Sequence, residues 1–275
     1  SKLACHERWL ERVWLPEARS DKGPLRLSQL YRALDLLAEL VIVIAGIFIA
    51  IQADRWWEQQ DDLRQEQVYI ERLAEDIRRD ISNIAYAIEL AAFRLDFADL
   101  LIAVSINPEA ALSEPEKFLA GVHQSAFTYT PALSSDTFEE LRSTGNLGLL
   151  RDETLKAALF EYYRFDVGQR QFQSLQLMTE IRHFELAAGI LSHEQHVWIQ
   201  DNYFVYNQRT VADKQYPASR IDTVVDAAER LRDSPEFVAW LPESRGTQID
   251  LINTNEVRLR SAEALLEILE RSGNP

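Results

Sequence analysis

Residue types that ligate metals are concentrated near the middle of the second half of the sequence. Glu180 and His183 have the i, i+3 spacing of the Glu-x-x-His pairs that bind di-iron centres in helical bundles, and His193, Glu194 and His196 follow them. A di-iron site would need a second such pair on a facing helix, and the sequence contains no other Glu-x-x-His. His193 and His196 also lie where the helix is predicted to end. We therefore expect exposed or capping histidines here, and no metal site.

Other catalytic patterns are missing from the sequence. It contains no Gly-rich phosphate loop and no Gly-x-Ser-x-Gly elbow, and its one cysteine, Cys5, lies near the N-terminus. We therefore predict that the protein is not an enzyme, with no catalytic, cofactor-binding or metal-binding residues and no cofactor. A metal-binding helical enzyme remains the least favoured alternative.

Glu39 is the ionisable residue with the most informative position, because it lies in an apolar run. Residues 40–51 contain no polar side chain, and the window 34–53 is interrupted only by Asp35, Glu39 and Gln52. As a helix this window spans about 30 Å, the thickness of a bilayer's hydrocarbon core. Ionisable groups at that depth usually face protein or water. Glu39 is therefore either buried in protein contacts or, after a modest tilt, located among the head groups.

The residues that flank the run favour a membrane helix over a buried strand or a soluble core helix. Tyr31 precedes the run, Trp56 and Trp57 follow it, and Gln52 lies one turn before Trp56. These four residues are predicted to be interfacial anchors, as in the aromatic belts of membrane proteins. A cleaved signal peptide is disfavoured, since a long segment with many charged residues precedes the run and no small-x-small cleavage site follows it. We predict an uncleaved membrane helix at residues 28–58.

Small and acidic residues of this helix share one face. Seven residues advance a helix by 700°, which returns to within about 20° of the starting face. The spacings of 4, 7, 4 and 3 therefore align Asp35, Glu39, Gly46, Ala50 and Ala53. We call these five residues the small-residue stripe and predict that it is a contact face, because small residues let a second backbone approach closely. The alternative is that Gly and Ala have no contact role here, since both are common in membrane helices.

Residues 1–27 are predicted to be a cytoplasmic tail with a short interfacial helix, on which Trp9, Leu10, Val13 and Trp14 share one face. Residues 1–53 carry seven Lys and Arg, and the positive-inside rule then places the tail in the cytoplasm. The count over the twenty residues on each side of the run does not distinguish the two sides, because each carries three basic residues. Residues 54–275 have a formal charge of −16. An acidic domain argues against nucleic acid as a partner.

Residues 59–275 are predicted to be an extracytoplasmic helical domain, so that the fold is all-α, with one N-terminal transmembrane helix running into a long-helix bundle. No Gly or Pro occurs from residue 47 to 107, and apolar residues recur mostly at steps of three, four and seven. This pattern predicts one long amphipathic helix, continuous or broken briefly near 59–62, with its charged residues on a solvated face. Further helices are predicted at about 114–124, 136–144, 152–190, 219–232, 235–242 and 246–271, with an irregular connection at 193–217.

Three groups of residues also carry a resemblance to a known family. They are the order Glu39, Gly46, Ala50, Gln52, Trp56, Glu58, the segment TFEELRSTGNL at 137–147, and the Tyr162-Tyr163 pair. This combination resembles an uncharacterised bacterial membrane-protein family with one N-terminal membrane helix and a helical domain of unknown function. Trp57 stands where that family has a small polar residue. The resemblance covers most of residues 35–165 and, more faintly, the C-terminal helix; it implies a fold and no activity.

Together these observations lead to two hypotheses from different classes. The favoured one is a non-enzymatic single-pass protein of the bacterial inner membrane, with its N-terminus in the cytoplasm and its bulk in the periplasm. It would act as a structural or interaction subunit, with membrane lipid and either itself or other membrane-protein subunits as partners. The alternative is a channel-like or transport-like oligomer in which Glu39 faces a central path.

Overall fold

The first described element is an 80-residue helix, α1, from Leu27 to Ile106. A computed structural model describes residues 27–202 and 215–273, with the backbone alone at 27, 29–30 and 165–175. The helix is continuous through residues 59–62, as the lack of Gly and Pro predicts. The tail predicted at residues 1–27 lies almost entirely outside the described residues. The chain divides into two compact units, Ser1–Leu63 and Arg64–Pro275, and each is described by itself.

In the second unit, further helices follow the C-terminal part of α1. They are α2 (Pro115–Gln124), α3 (Asp136–Thr144), α4 (Glu153–Ala187), α5 (His193–Asn202), α6 (Ile221–Arg232) and α7 (Pro235–Ser272). Short 3-10 helices occur at Pro108–Leu112, Asn146–Leu149 and Ala218–Arg220. No strand occurs in residues 27–202 and 215–273. The prediction of an all-α fold with a long apolar N-terminal helix is therefore confirmed.

Several helix ends lie where the sequence predicts them. The Asn107 side chain accepts a hydrogen bond from the Glu109 amide at 3.2 Å, directly after α1 ends. At the start of α4, the Asp152 carboxylate accepts a hydrogen bond from the Thr154 amide at 2.8 Å. This bond is the main cause that holds the pKa of Asp152 below its usual value. Gly145 ends α3 with φ of 77°, a conformation that favours glycine.

Two predictions about the C-terminal half are wrong. Residues 193–202, predicted to be irregular, form helix α5, while most of the rest of that connection lies outside the described residues. The helices predicted at 235–242 and 246–271 are one helix, α7, which contains Pro242. Buried positions continue across the proline on one face, at Leu241, Ser244 and Gln248. Packing along this face therefore outweighs the local preference for a break.

The part of α1 in the second unit packs with a seven-residue repeat. One series of buried residues recurs every seven positions: Ile70, Ile77, Ile84, Ala91 and Ala98. A second series begins three residues later and has the same spacing: Leu73, Asp80, Ala87, Arg94 and Leu101. This is the a and d pattern of helices that pack at a shallow left-handed angle. Asp80 and Arg94 are charged residues at core positions, contrary to the expectation that the charged residues of this helix are solvated.

The described residues of the second unit form two hydrophobic cores. One is formed by the end of α1 with α2, α5, α6 and the start of α7, and it includes Phe97, Phe118, Val224 and Phe237. The other is formed by an earlier part of α1 with α3, the start of α4 and the end of α7, and it includes Leu73, Phe138, Leu159 and Leu265. The residues of α1 and α7 between these cores include several buried polar side chains.

Candidate functional site

The N-terminal part of α1 presents a large apolar surface, in which Asp35 and Glu39 are the charged residues between positions 34 and 51. Its large apolar side chains between residues 34 and 51 are 46–70% exposed; they are Leu34, Leu36, Leu37, Leu40, Val41, Ile42, Val43, Ile44, Ile47, Phe48, Ile49 and Ile51. By length and composition this helix could cross a membrane. Full burial of one such side chain is worth about 1.5–3 kcal/mol, so a surface of this size is stable only when lipid or protein covers it.

All five residues of the small-residue stripe lie on this exposed part of α1. The helix is regular there, so the calculated alignment of the five positions holds. A Cβ atom added at Gly46 would meet no described atom within 4 Å, which leaves room for a second helix to approach. Whether the stripe makes contacts stays a prediction.

The four predicted anchors also lie on α1. Tyr31 and Gln52 are exposed, and the Trp56 and Trp57 rings meet edge to face with centroids 5.1 Å apart. Tyr31 and Trp56 are separated by about 38 Å along a helix with 1.5 Å per residue. This separation is close to the thickness of a bilayer measured between its interfacial regions.

In the second unit, the non-helical residues 125–135 pass between the two cores and bond to buried side chains from α1 and α7. Arg94 donates to the Phe127 carbonyl at 3.1 Å, and Gln248 donates to the carbonyls of Ser125 and Phe127 at 2.9 Å each. Arg258 donates to the Pro131 carbonyl at 2.8 Å. Buried backbone carbonyls need donors, and these long side chains supply them.

Buried acids bind the amide groups of the same segment. Glu180 accepts from both the amide and the hydroxyl of Thr128. Asp80 accepts from the Ser134 amide at 2.8 Å and from the Tyr162 hydroxyl at 2.9 Å. Burial raises the pKa of Asp80, although both hydrogen bonds oppose this shift, and it also raises the pKa of Tyr162. We call these buried acids and the buried donors of the preceding paragraph the polar layer; its members are Asp80, Arg94, Glu180, Gln248 and Arg258. Each of these side chains makes at least one hydrogen bond to residues 125–135, which indicates a structural role.

The residue types that suggested a metal have other partners. Glu180 belongs to the polar layer, and Nε2 of His183 donates to the Val122 carbonyl at 2.9 Å. His183 is 1% exposed, so the expectation of an exposed or capping histidine is wrong for this residue. Among residues 27–202 and 215–273, no group of three or more His, Cys, Asp and Glu is placed to hold a metal ion.

Three histidine rings lie near one another at the end of the first core. The ring centroids of His123 and His196 are 6.0 Å apart. The Phe127 and Phe184 rings each lie 5.5 Å from the His123 ring and 5.3 Å from each other. Burial lowers the pKa of His183 to about 4 and is also the main cause that lowers the pKa of His123 and of His196. Sequence reasoning missed His123, because it lies 60 residues before His183 and only the fold brings them together.

The segment 137–147 has a structural role that its sequence does not reveal. Glu140 on α3 accepts hydrogen bonds from Arg72 of α1 at 2.5 Å and from the Tyr69 hydroxyl at 3.0 Å. The bond from Arg72 is the main cause that lowers the pKa of Glu140, and the bond from Tyr69 lowers it further. Phe138 stacks on Tyr163 with centroids 4.5 Å apart. A groove of about 520 Å³ between α3 and α4 is lined by Phe138, Glu139, Arg142, Ala157, Phe160, Glu161, Tyr163 and Arg164. These lining residues include no pairing of a nucleophile with a general base.

The comparisons with known proteins identify a family and assign no function. No match to a curated protein or to a solved structure was found. Residues 39–176 match a family of unknown function, DUF6090. The match begins at Glu39 of the apolar run and extends through Tyr162 and Tyr163, and it ends before the C-terminal helix α7, for which the sequence had suggested a fainter resemblance. Because it covers half of the chain, the protein belongs to the DUF6090 family of unknown function.

Proposed function

We propose that this protein is a non-enzymatic single-pass membrane protein that acts as a structural or interaction subunit. The observation that carries the proposal is the exposed apolar surface of α1 between residues 34 and 51. Lipid is the natural cover for most of it, since Leu, Val, Ile and Phe are well solvated by hydrocarbon. In this proposal the helical unit of residues 64–275 is held at the membrane surface and presents its acidic exterior to water.

The position of Glu39 supports a second helix as the remaining cover. If Tyr31 and Trp56 lie at opposite interfaces, the midplane falls between residues 43 and 44, and Glu39 lies about 7 Å from it along the helix. That depth is well within the hydrocarbon, whose half-thickness is about 15 Å. A carboxyl group there is stabilised by protein contacts, which favours burial over an interfacial location. Because Glu39 belongs to the small-residue stripe, one packing event would both shield it and use Gly46 and Ala50.

Replacement of Gly46 by leucine tests this contact face. The larger side chain should keep the second backbone away. Overpacking of a close contact costs about 1–3 kcal/mol, so we expect self-association or association with a partner to weaken by about fivefold to 150-fold. Ile47→Leu, on a neighbouring face, should leave assembly unchanged. The measurement is the mass of the purified complex in a mild detergent over a dilution series. Equal assembly of the two variants would contradict the proposed face.

We further propose that the protein lies in the inner membrane of a bacterium, with residues 1–27 in the cytoplasm and residues 59–275 in the periplasm. The basic tail and the acidic, cysteine-free remainder support this orientation. Gln215 is exposed and distant in sequence from Cys5, which makes it a suitable reporter position.

A Gln215→Cys variant that also carries Cys5→Ser is expected to react with a membrane-impermeant thiol reagent in intact spheroplasts. The wild-type chain, with Cys5 alone, is the control and should react only after lysis. Labelling of Cys5 in intact spheroplasts, with none at position 215, would reverse the orientation.

A further inference from the structure

Histidines from three helices meet at one end of the first core. His123 lies on α2, His183 on α4 and His196 on α5, and they are grouped with the rings of Phe127, Phe184 and Phe237. Neither the membrane proposal nor the family assigns them a role. Burial is the main cause that lowers the pKa of each of them. In addition, His196 lowers the pKa of His123, His123 lowers that of His183, and His193 lowers that of His196.

The hydrogen bonding of His183 defines which nitrogen would take up a proton. The Val122 carbonyl can only accept, so Nε2 of His183 carries the hydrogen and Nδ1 is the basic atom. Nδ1 is buried and has no hydrogen-bond partner among the described residues. A proton added there would bury both a charge and an unsatisfied donor, which is costly in an apolar site.

Charged groups on the surrounding helices are engaged in bonds of their own: Glu180 with Thr128, Glu194 with Arg220, Arg182 with Glu185 and Glu236, and Arg230 with the Ile190 carbonyl. On α7, the side of His183 is covered by the Phe237 ring, whose centroid is 5.1 Å away. Protonation of the histidines would itself place cations close together. The ring centroids of His123 and His196 are 6.0 Å apart, so two imidazolium groups at these positions would repel each other. Their mutual repulsion adds to the cost of burial.

From this arrangement we infer that His123, His183 and His196 form an acid-sensitive latch that holds α4 and α5 against α2. At neutral pH the three rings are uncharged and pack as aromatic groups. In acid, protonation favours the state in which α5 and the end of α4 have moved away from α2 and the imidazolium groups are hydrated. The inference does not depend on the proposed membrane role.

The pH interval follows from the direction of the shifts. A released histidine has a pKa near 6.5, whereas burial lowers that of docked His183 to about 4. Between these values the undocked state binds more protons than the docked state, so docking weakens as the pH falls from about 6.5 towards about 4. Above about pH 6.5 neither state gains protons at this residue, and docking is independent of its titration.

Hydrogen exchange of the full chain in detergent micelles tests the latch, with rates corrected for the intrinsic effect of pH. Between pH 7.5 and pH 5, the protection of amides in α2 and α5 should fall about tenfold or more relative to α3, which belongs to the other core. An equal loss in α3, or no relative loss in α2 and α5, would overturn the inference without any variant.

Two substitutions then assign the effect to the histidines. His183→Gln keeps an N–H donor for Val122 but cannot titrate, and His196→Phe keeps an aromatic ring against His123. Each should reduce the acid-dependent loss of protection several-fold, whereas His193→Gln, at the exposed start of α5, should retain most of it. If His183→Gln and His196→Phe both lose protection as the wild type does, the latch is refuted.

Discussion

Replacement of Arg258 by alanine is expected to destabilise the helical unit by about 3 kcal/mol or more. Arg258 is 2% exposed, and its guanidinium donates to the Pro131 carbonyl at 2.8 Å and to the Asn255 side chain at 3.0 Å. Alanine leaves both acceptors without this donor, and each buried group so deprived costs about 1–3 kcal/mol. The space vacated by the side chain adds a cavity term.

The matched control is Arg260→Ala, two residues further along α7. Arg260 is 66% exposed in its side chain and lies 3.8 Å from Glu256, an exposed pair of the kind that contributes little. We expect its unfolding free energy to change by less than about 0.5 kcal/mol. Urea unfolding followed by circular dichroism gives both values. Similar midpoints for the two variants would mean that the polar layer contributes little to stability.

The second large effect is expected from a chain that begins at Gln59. Removal of the exposed apolar part of α1 should move the protein completely from the membrane fraction to the soluble fraction, because the remaining apolar residues are mostly buried in the two cores. Its far-ultraviolet circular dichroism should be dominated by helix. The measurements are high-speed sedimentation without detergent, followed by spectroscopy of the supernatant.

A chain that lacks only residues 1–27 is the control for this deletion. It keeps the apolar run and should remain in the membrane fraction after alkaline extraction. If the chain beginning at Gln59 instead aggregates or shows a sheet-dominated spectrum, the interpretation of residues 59–275 as an independent helical domain is wrong.

The elements that the sequence predicted well are those with strong local signals. Helix α3 ends where it is predicted to end because Gly145 adopts the left-handed conformation directly after it. Helix α1 is uninterrupted because no Gly or Pro follows Gly46 within it. The interpretation of residues 34–53 as a membrane helix rests on the apolar run and the aromatic residues beside it. In these cases a few neighbouring residues determine the outcome, and no distant partner is needed.

The features that the sequence did not predict depend on distant partners. The amphipathic pattern of α1 predicts a solvated position for Asp80 and Arg94, because charged residues are usually exposed, but both side chains are buried. Their partners, Ser134 and Phe127, are 54 and 33 residues away in sequence, and periodicity within one helix carries no information about them. The helices predicted at 235–242 and 246–271 are one helix for a similar reason, because packing on both sides of Pro242 continues it.

The polar layer has a consequence for the order in which the chain folds. Gln248 bonds to Phe127 across 121 residues of sequence, and Arg258 bonds to Pro131 across 127. Each bond closes a long loop, and the entropy of that closure is lost before the bond itself contributes any stability. Most contacts in a helical bundle are local, which is why such proteins fold quickly. Here the segment between the cores can acquire the donors that α7 supplies only after α7 has returned to α1, so these bonds depend on the two ends of the domain meeting.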